Sequence, residues 1–335
     1  MRFPPVEDTP GIEDGSVDIN DLDLEMREVV DDVSFAVTHT KKLVRRSREL
    51  TSTLDNLLQQ HLYTHKSMRL ILKCAYDEQD YTLVPDCASL VREQVEKIYQ
   101  TALLLQGPHK WLRQYLRNAW QKDYERYLLE VDEYGHIDRH HDHIHVRFPK
   151  FLEDGRKLKL SEYDSVLVSD FAMKMVEYEW HHKKGTKPTP KPPWFTKRGS
   201  VGGYLKKYFF FPTPWDIMTK VNNKKLVMFL DRWYREYKML SEYTHVLSGK
   251  ITPAVAALDK SWKGQDKAKL YGEKKSQEFI LMSNICAISI CTVIMPYIGN
   301  GLGSKKTTKA YWDRLSKGSL FAKQLWNLYG RDTLT

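Results

Sequence analysis

From Phe279 to Ile298 the chain runs for twenty residues without a charge. That run fixes much of what the chain can fold into, because a helix that is apolar on every side must be surrounded, by other helices or by lipid. Ser283, Asn284, Ser289, Thr292 and Pro296 interrupt it, and lysines flank both ends (Lys274 and Lys275; Lys305 and Lys306). A lone membrane span is cleaner and shows a charge bias across its ends. The run therefore reads as the central helix of a helical core, and no stable membrane insertion is expected.

The rest of the sequence supplies the surrounding helices. Val29, Val33, Ala36 and Val37, then Leu43, Leu50, Leu54, Leu57, Leu58 and Leu62, recur at three- and four-residue intervals, which predicts one long helix or two ending near Tyr76. Further helices are predicted at about Pro85–Gln106, after a proline tolerated in the first turn, at about Pro108–Glu133, and at about Ser161–His182. Thr213-Pro214 caps a short helix. Longer ones follow at about Asn223–Leu247, from Thr252-Pro253, at 275–297 and at about 305–329. No alternating strand pattern competes with them, so a parallel sheet is not expected. The fold class is all-α: a multi-helix bundle over 21–335, preceded by an acidic arm at 1–20 and interrupted by a long irregular insertion at about 135–215.

Charge is distributed unevenly. Residues 1–35 hold eleven acids against Arg2 and Arg27, a balance of −9, which leaves +18 on the remaining 300 residues of a chain whose total is +9. A basic body attracts nucleic acid or another anionic surface, and an acidic arm can compete for it. Cys74, Cys87, Cys286 and Cys291 form no C-x-x-C pair or evenly spaced framework, so they are expected as free thiols of a reducing compartment. The first residues carry prolines and acids where a secretory signal needs an apolar run, so the expected location is cytoplasmic.

Two predicted helices bear polar stripes. Arg92, Glu96 and Tyr99 stand at i, i+4 and i+7 among Val91, Val95, Ile98 and Ala102; Tyr237, Ser241 and His245 stand at i, i+4 and i+8. Such stripes converge on facing helices to build sites in bundles, or equally fix helix register as satisfied networks. An Arg beside a Glu keeps the carboxylate ionised, and a His near them can exchange a proton. The motifs VREQVE and YKMLSEYTH, an Arg-x-x-x-Glu helix followed by a Tyr-x-x-Leu-Ser-x-x-x-His helix, resemble those of a bacterial family of helical domains of unknown function. The likeness spans about residues 45–300. Val246-Leu247-Ser248 follows the histidine, where that family has small residues and a Pro or Ser. The layout is also similar, more distantly, to the HEPN class of helical ribonucleases and nucleotide-binding modules. That class sets an Arg four to six residues before a His, a spacing that Arg235 and His245 do not keep.

Two further segments carry chemistry. Five of the twelve histidines fall between His136 and His145, and in an extended chain His141, His143 and His145 share one side, a candidate zinc set whose rival is a solvated loop. Lys183–Gly199 is proline-rich and holds six cations and no acid. Lys187, Lys191, Trp194, Lys197 and Arg198 there combine phosphate contacts with stacking faces, or else anchor a surface loop. GNGLGSKKTT at Gly299–Thr308 only imitates a phosphate loop, because Ser304 stands where the second glycine belongs.

These readings predict a nucleic-acid-associated helical protein, RNase-like and related to defence or toxin systems, with RNA or DNA as partner. In it His245 is the general acid/base, Arg92 the phosphate or transition-state contact, and Glu96 and Tyr237 orienting groups, with Ser241 a further residue of the site. The alternatives are a non-enzymatic scaffold or homo-oligomer subunit, and a metal-dependent hydrolase built on the histidine cluster. No cofactor is assigned.

Overall fold

The structure, a computed structural model, describes residues 19–40, 43, 47–116, 118–119, 211–244, 265–298 and 303–334. Among these residues every regular element is helical and no strand occurs, so the protein is all-α. The chain divides into two compact units, Met1–Gln106 with Thr213–Thr335, and Gly107–Pro212. In the second unit residues 108–116 and 118–119 are helical and Tyr115 meets Phe211 edge-on.

The first unit holds α1 (Ile19–His39), α2 (Arg48–Asp77), a 3-10 turn (Tyr81–Asp86), α3 (Cys87–Gln106), α4 (Pro214–Met218) and α5 (Lys224–Thr244). It continues with α6 (Gln265–Ile298), α7 (Ser304–Gly318), α8 (Leu320–Leu325), a π-helical turn (Trp326–Gly330) and α9 (Arg331–Leu334). Among the described residues the periodic stretch from Leu22 thus makes two long helices, with Leu43 also helical between them. Ser47 caps the second, its hydroxyl accepting from Leu50 N at 3.2 Å, which satisfies one of the amides a helix start leaves open. That helix ends at Asp77 with Glu78 as its C-cap, and Gln79 turns the chain with φ 54°.

Two other boundaries depart from the sequence reading. Pro85 belongs to the 3-10 turn, and α3 begins two residues later, at Cys87. The single helix expected at about 305–329 is broken: it stops at Gly318, and the Ser319 hydroxyl caps a new start by accepting from Ala322 N at 3.2 Å. Thr213 and Asp216 form the capping box of α4. Of the other expected elements, Ser161–His182, the helix from Thr252, and the remainder of Pro108–Glu133 lie outside the described residues, as does most of the insertion and all of the acidic arm but Ile19 and Asn20, which begin α1.

The apolar α6 occupies the centre, packed against α1, α2, α3 and α7. By length and composition Lys269–Ile298 is long and apolar enough to cross a membrane, but 83% of its most apolar window is covered by the surrounding helices. Its polar residues explain how one featureless surface receives so many neighbours in fixed register. Each is aimed at a different helix. Ser283 Oγ lies 2.8 Å from His65 Nδ1 of α2, and the Asn284 amide donates to Asp23 of α1 at 2.9 Å. Ser289 accepts from the Trp233 indole of α5 at 3.2 Å, and Thr292 from the Trp312 indole of α7 at 2.7 Å. All four α6 residues are fully buried, so a slip of any neighbour strands a polar group and costs about 1–3 kcal/mol.

Candidate functional site

The two polar stripes meet. Helices α3 and α5 pack together in opposite directions: Tyr99 reaches the Leu230 carbonyl at 2.7 Å, while Arg92 and Glu96 face Tyr237. The contact is a closed triangle. Tyr237 donates its hydroxyl proton to Glu96 Oε1 at 3.0 Å and accepts from Arg92 Nη2 at 3.2 Å, and Arg92 Nη2 lies 3.4 Å from Glu96 Oε1. The guanidinium carbon stands 5.2 Å from the centre of the Tyr237 ring, within reach of a cation–π attraction.

The triangle lies at the rim of the core. The Arg92 and Glu96 side chains are 27% and 32% exposed, so a solute can approach them. Burial pushes the Tyr237 hydroxyl above its ordinary value and the Glu96 carboxylate adds to the rise, outweighing the Arg92 guanidinium. At neutral pH the phenol is therefore a proton and hydrogen-bond donor. An oxyanion arriving here would meet a guanidinium oriented by Glu96, and would receive the single phenolic proton only by taking the place of Glu96 as its acceptor.

The other residues of the stripes are placed differently. Ser241 Oγ turns back to the Tyr237 carbonyl of its own helix at 2.8 Å. Tyr99 shares the stripe of Arg92 on α3 but is fully buried and serves the core, because the α3–α5 seam passes from rim to interior along its length. His245 lies outside the described residues, one position beyond the end of α5. So do Lys187, Lys191, Trp194, Lys197 and Arg198, and the histidines His141, His143 and His145. Among the described residues no group of acids, histidines and cysteines is arranged to hold a metal ion. Cys74 is an exposed free thiol; Cys87, Cys286 and Cys291 are buried free thiols.

A second polar cluster, buried and absent from the sequence reading, joins α1, α2, α6 and α7. His65 has Asp23 Oδ1 at 3.1 Å on its Nε2 side and Ser283 Oγ at 2.8 Å on its Nδ1 side. Arg69 Nε lies 3.1 Å from the other Asp23 oxygen, and Tyr311 donates to Asn284 Oδ1 at 2.5 Å. Burial alone would raise the Asp23 carboxyl; His65, Asn284 and Arg69 outweigh that and hold it below the usual carboxylate value. The Asp–His–Ser connectivity is that of an acyl-transfer triad. With Ser283 and His65 sealed at 0% and 1% exposure it has no room for a substrate, and it works as a structural tie. His61, one turn before His65, donates from Nε2 to the Ser283 carbonyl at 3.1 Å. The signal that could have revealed this cluster is His61-x-x-x-His65-x-x-x-Arg69 on the α2 face that also carries Leu54, Leu58 and Leu72.

Compared with protein-family profiles, with curated proteins and with solved structures, the chain matches none.

Proposed function

We propose that the protein binds RNA and acts on a phosphodiester at the rim between α3 and α5, in the manner of HEPN-like helical ribonucleases. One observation carries the reading: Arg92, Glu96 and Tyr237 converge at a solvent-reachable seam although the glutamate and the tyrosine stand 141 positions apart in the chain. In this reading the Arg92 guanidinium contacts a phosphate oxygen and Glu96 fixes its orientation. Tyr237 turns its one hydroxyl proton from Glu96 to the charge that develops on the phosphate, and His245 exchanges the proton. The excess of +18 on residues 36–335 supports an anionic partner.

The test is binding of a labelled RNA followed by anisotropy over about 50–200 mM salt. Affinity should fall steeply with salt, and Arg92→Ala should lower the slope of log K against log salt by about one counterion. An affinity that ignores salt rejects the proposal. If RNA is cleaved, His245→Ala should abolish cleavage while leaving binding in place.

The closed triangle of two hydrogen bonds and an ion pair favours a second reading, a non-catalytic subunit in which these residues lock α3 to α5. Arg92→Ala would then lower the melting temperature and leave RNA binding unchanged.

A further inference from the structure

Beside the Arg92 triangle an aromatic row continues along α5 to α4. The Tyr237 ring stacks with Tyr234 at 6.1 Å between centroids and 20° between planes, and Tyr234 meets Trp215 at 5.4 Å. Trp215 is 55% exposed, an unusual place for the most costly side chain to leave in water. Cations accompany the rings: Arg92 stands over Tyr237, and Lys238 Nζ lies 5.3 Å from the Tyr234 ring centre. Past Trp215 the row opens into a groove of about 530 Å³, lined among others by Met218, Val227, Met228, Asp231 and Arg235. The Arg235 side chain is 73% exposed, and its ion pair with Asp231 is long, at 3.7 Å. An exposed pair of this kind is worth little, so the guanidinium can exchange Asp231 for a phosphate, with the aspartate opposing it.

We propose that Trp215, Tyr234 and Tyr237, flanked by Arg235 and Lys238, form a stacking platform that guides a single-stranded RNA segment into the Arg92 site. The inference rests on the RNA reading of that site and adds to it the form of the substrate. Trp215, more than half exposed, accepts an unpaired base of any identity, Tyr234 and Tyr237 continue the aromatic row behind it, and the cations beside the rings track the backbone. A duplex hides its base faces and gains nothing from the row. An apolar protein helix could use Met228 and Trp215, yet it would have no use for cations set at the ring faces.

The test uses the full chain and a labelled single-stranded RNA of about twelve nucleotides, with the duplex of the same sequence beside it. Trp215→Ala should weaken single-strand binding by roughly 10-fold or more, from the usual strength of base–aromatic stacking, and leave the salt slope unchanged because no charge is lost. Trp215→Phe should stay within about threefold of wild type, since the ring is kept. Arg235→Gln should lower the salt slope instead. Wild-type protein that binds no RNA overturns both this inference and the function proposed above. RNA binding that is salt-dependent and sensitive to Arg92→Ala, but indifferent to Trp215→Ala, overturns the platform alone. Loss of self-association in Trp215→Ala, with RNA affinity intact, would reassign the groove to a protein interface and overturn it equally.

Discussion

Acid should loosen the core through His61, and the size of the effect follows from its surroundings. The ring is completely buried, and its Nε2 donates to the Ser283 carbonyl. Among the described residues Nδ1 has no hydrogen-bond partner. A second proton would have to sit there, unsolvated, close to His65 and to the buried ammonium of Lys97. Burial first, then those two neighbours, hold the His61 pKa well below the ordinary histidine value, against a smaller opposite pull from the Ser283 carbonyl. The unfolded chain, by contrast, takes up that proton below about pH 6.5. Between the folded and unfolded values the unfolded state binds more protons, so stability rises with pH there and falls on acidification. The slope approaches about 1.4 kcal/mol per pH unit below 6.5, so that from about pH 7.5 to about pH 5 this residue alone removes at most about 2 kcal/mol. Urea unfolding followed by circular dichroism across this range should show the loss. The comparison that isolates it is His61→Gln, whose amide keeps a donor for the Ser283 carbonyl and does not titrate. Parallel pH profiles for the variant and the wild type would refute the argument.

Other substitutions test the ties around α6. Asp23→Ala takes the carboxylate from the buried His65 Nε2 and from Arg69 and the Asn284 amide, and should cost about 3–5 kcal/mol in urea unfolding at neutral pH. Because the folded pKa of Asp23 is depressed, its contribution is present above the unfolded carboxylate value and should be lost as pH falls through the lower, folded one. Thr292→Val keeps the shape but leaves the buried Trp312 indole N–H without its acceptor; a loss of about 1–3 kcal/mol is expected, with a lower melting temperature in calorimetry. Gly272→Ala would put a methyl 2.2 Å from Tyr81 Cδ1, so the 3-10 turn must shift, and thermal unfolding should show about 1–3 kcal/mol of destabilisation.

The helices were legible because burial on one face leaves a three- and four-residue period, and α6 because a face buried all round leaves none. The polar residues inside α6 marked it as a core element, but their partners could not be read. Asp23 and Asn284 are 261 residues apart, and periodicity reports which side is buried without saying what buries it. The break at Gly318-Ser319 was written in the sequence as a glycine stop followed by a serine cap; the continuing apolar spacing of Leu315, Ala322 and Leu325 concealed it. Arg92, Glu96 and Tyr237 were found because charge at helical spacing on an otherwise apolar face is costly unless something meets it. The Trp215–Tyr234–Tyr237 row was missed because its rings come from two helices, joined by a turn whose geometry no one-helix pattern contains.

The buried ties and the rim triangle belong to one mechanical arrangement. On α3 the residues next to Arg92 and Glu96 are Val91 and Val95, both fully buried, and Gln94 and Lys97 are tied to α2 through the His61 carbonyl and Thr64. On α5, Trp233 stands one turn before Tyr237 and is held by Ser289 of α6. Each helix that presents the triangle is thus fixed from behind by a directional hydrogen bond as well as by apolar contact. Apolar contact alone tolerates sliding and rotation, whereas a buried donor that loses its acceptor does not. The separation of the Arg92 guanidinium from the Tyr237 hydroxyl is therefore set by partners on the far side of both helices. A seam positioned in this way keeps its geometry when solvent or a ligand changes at the rim, which is what a site acting on a bound phosphate requires of its scaffold.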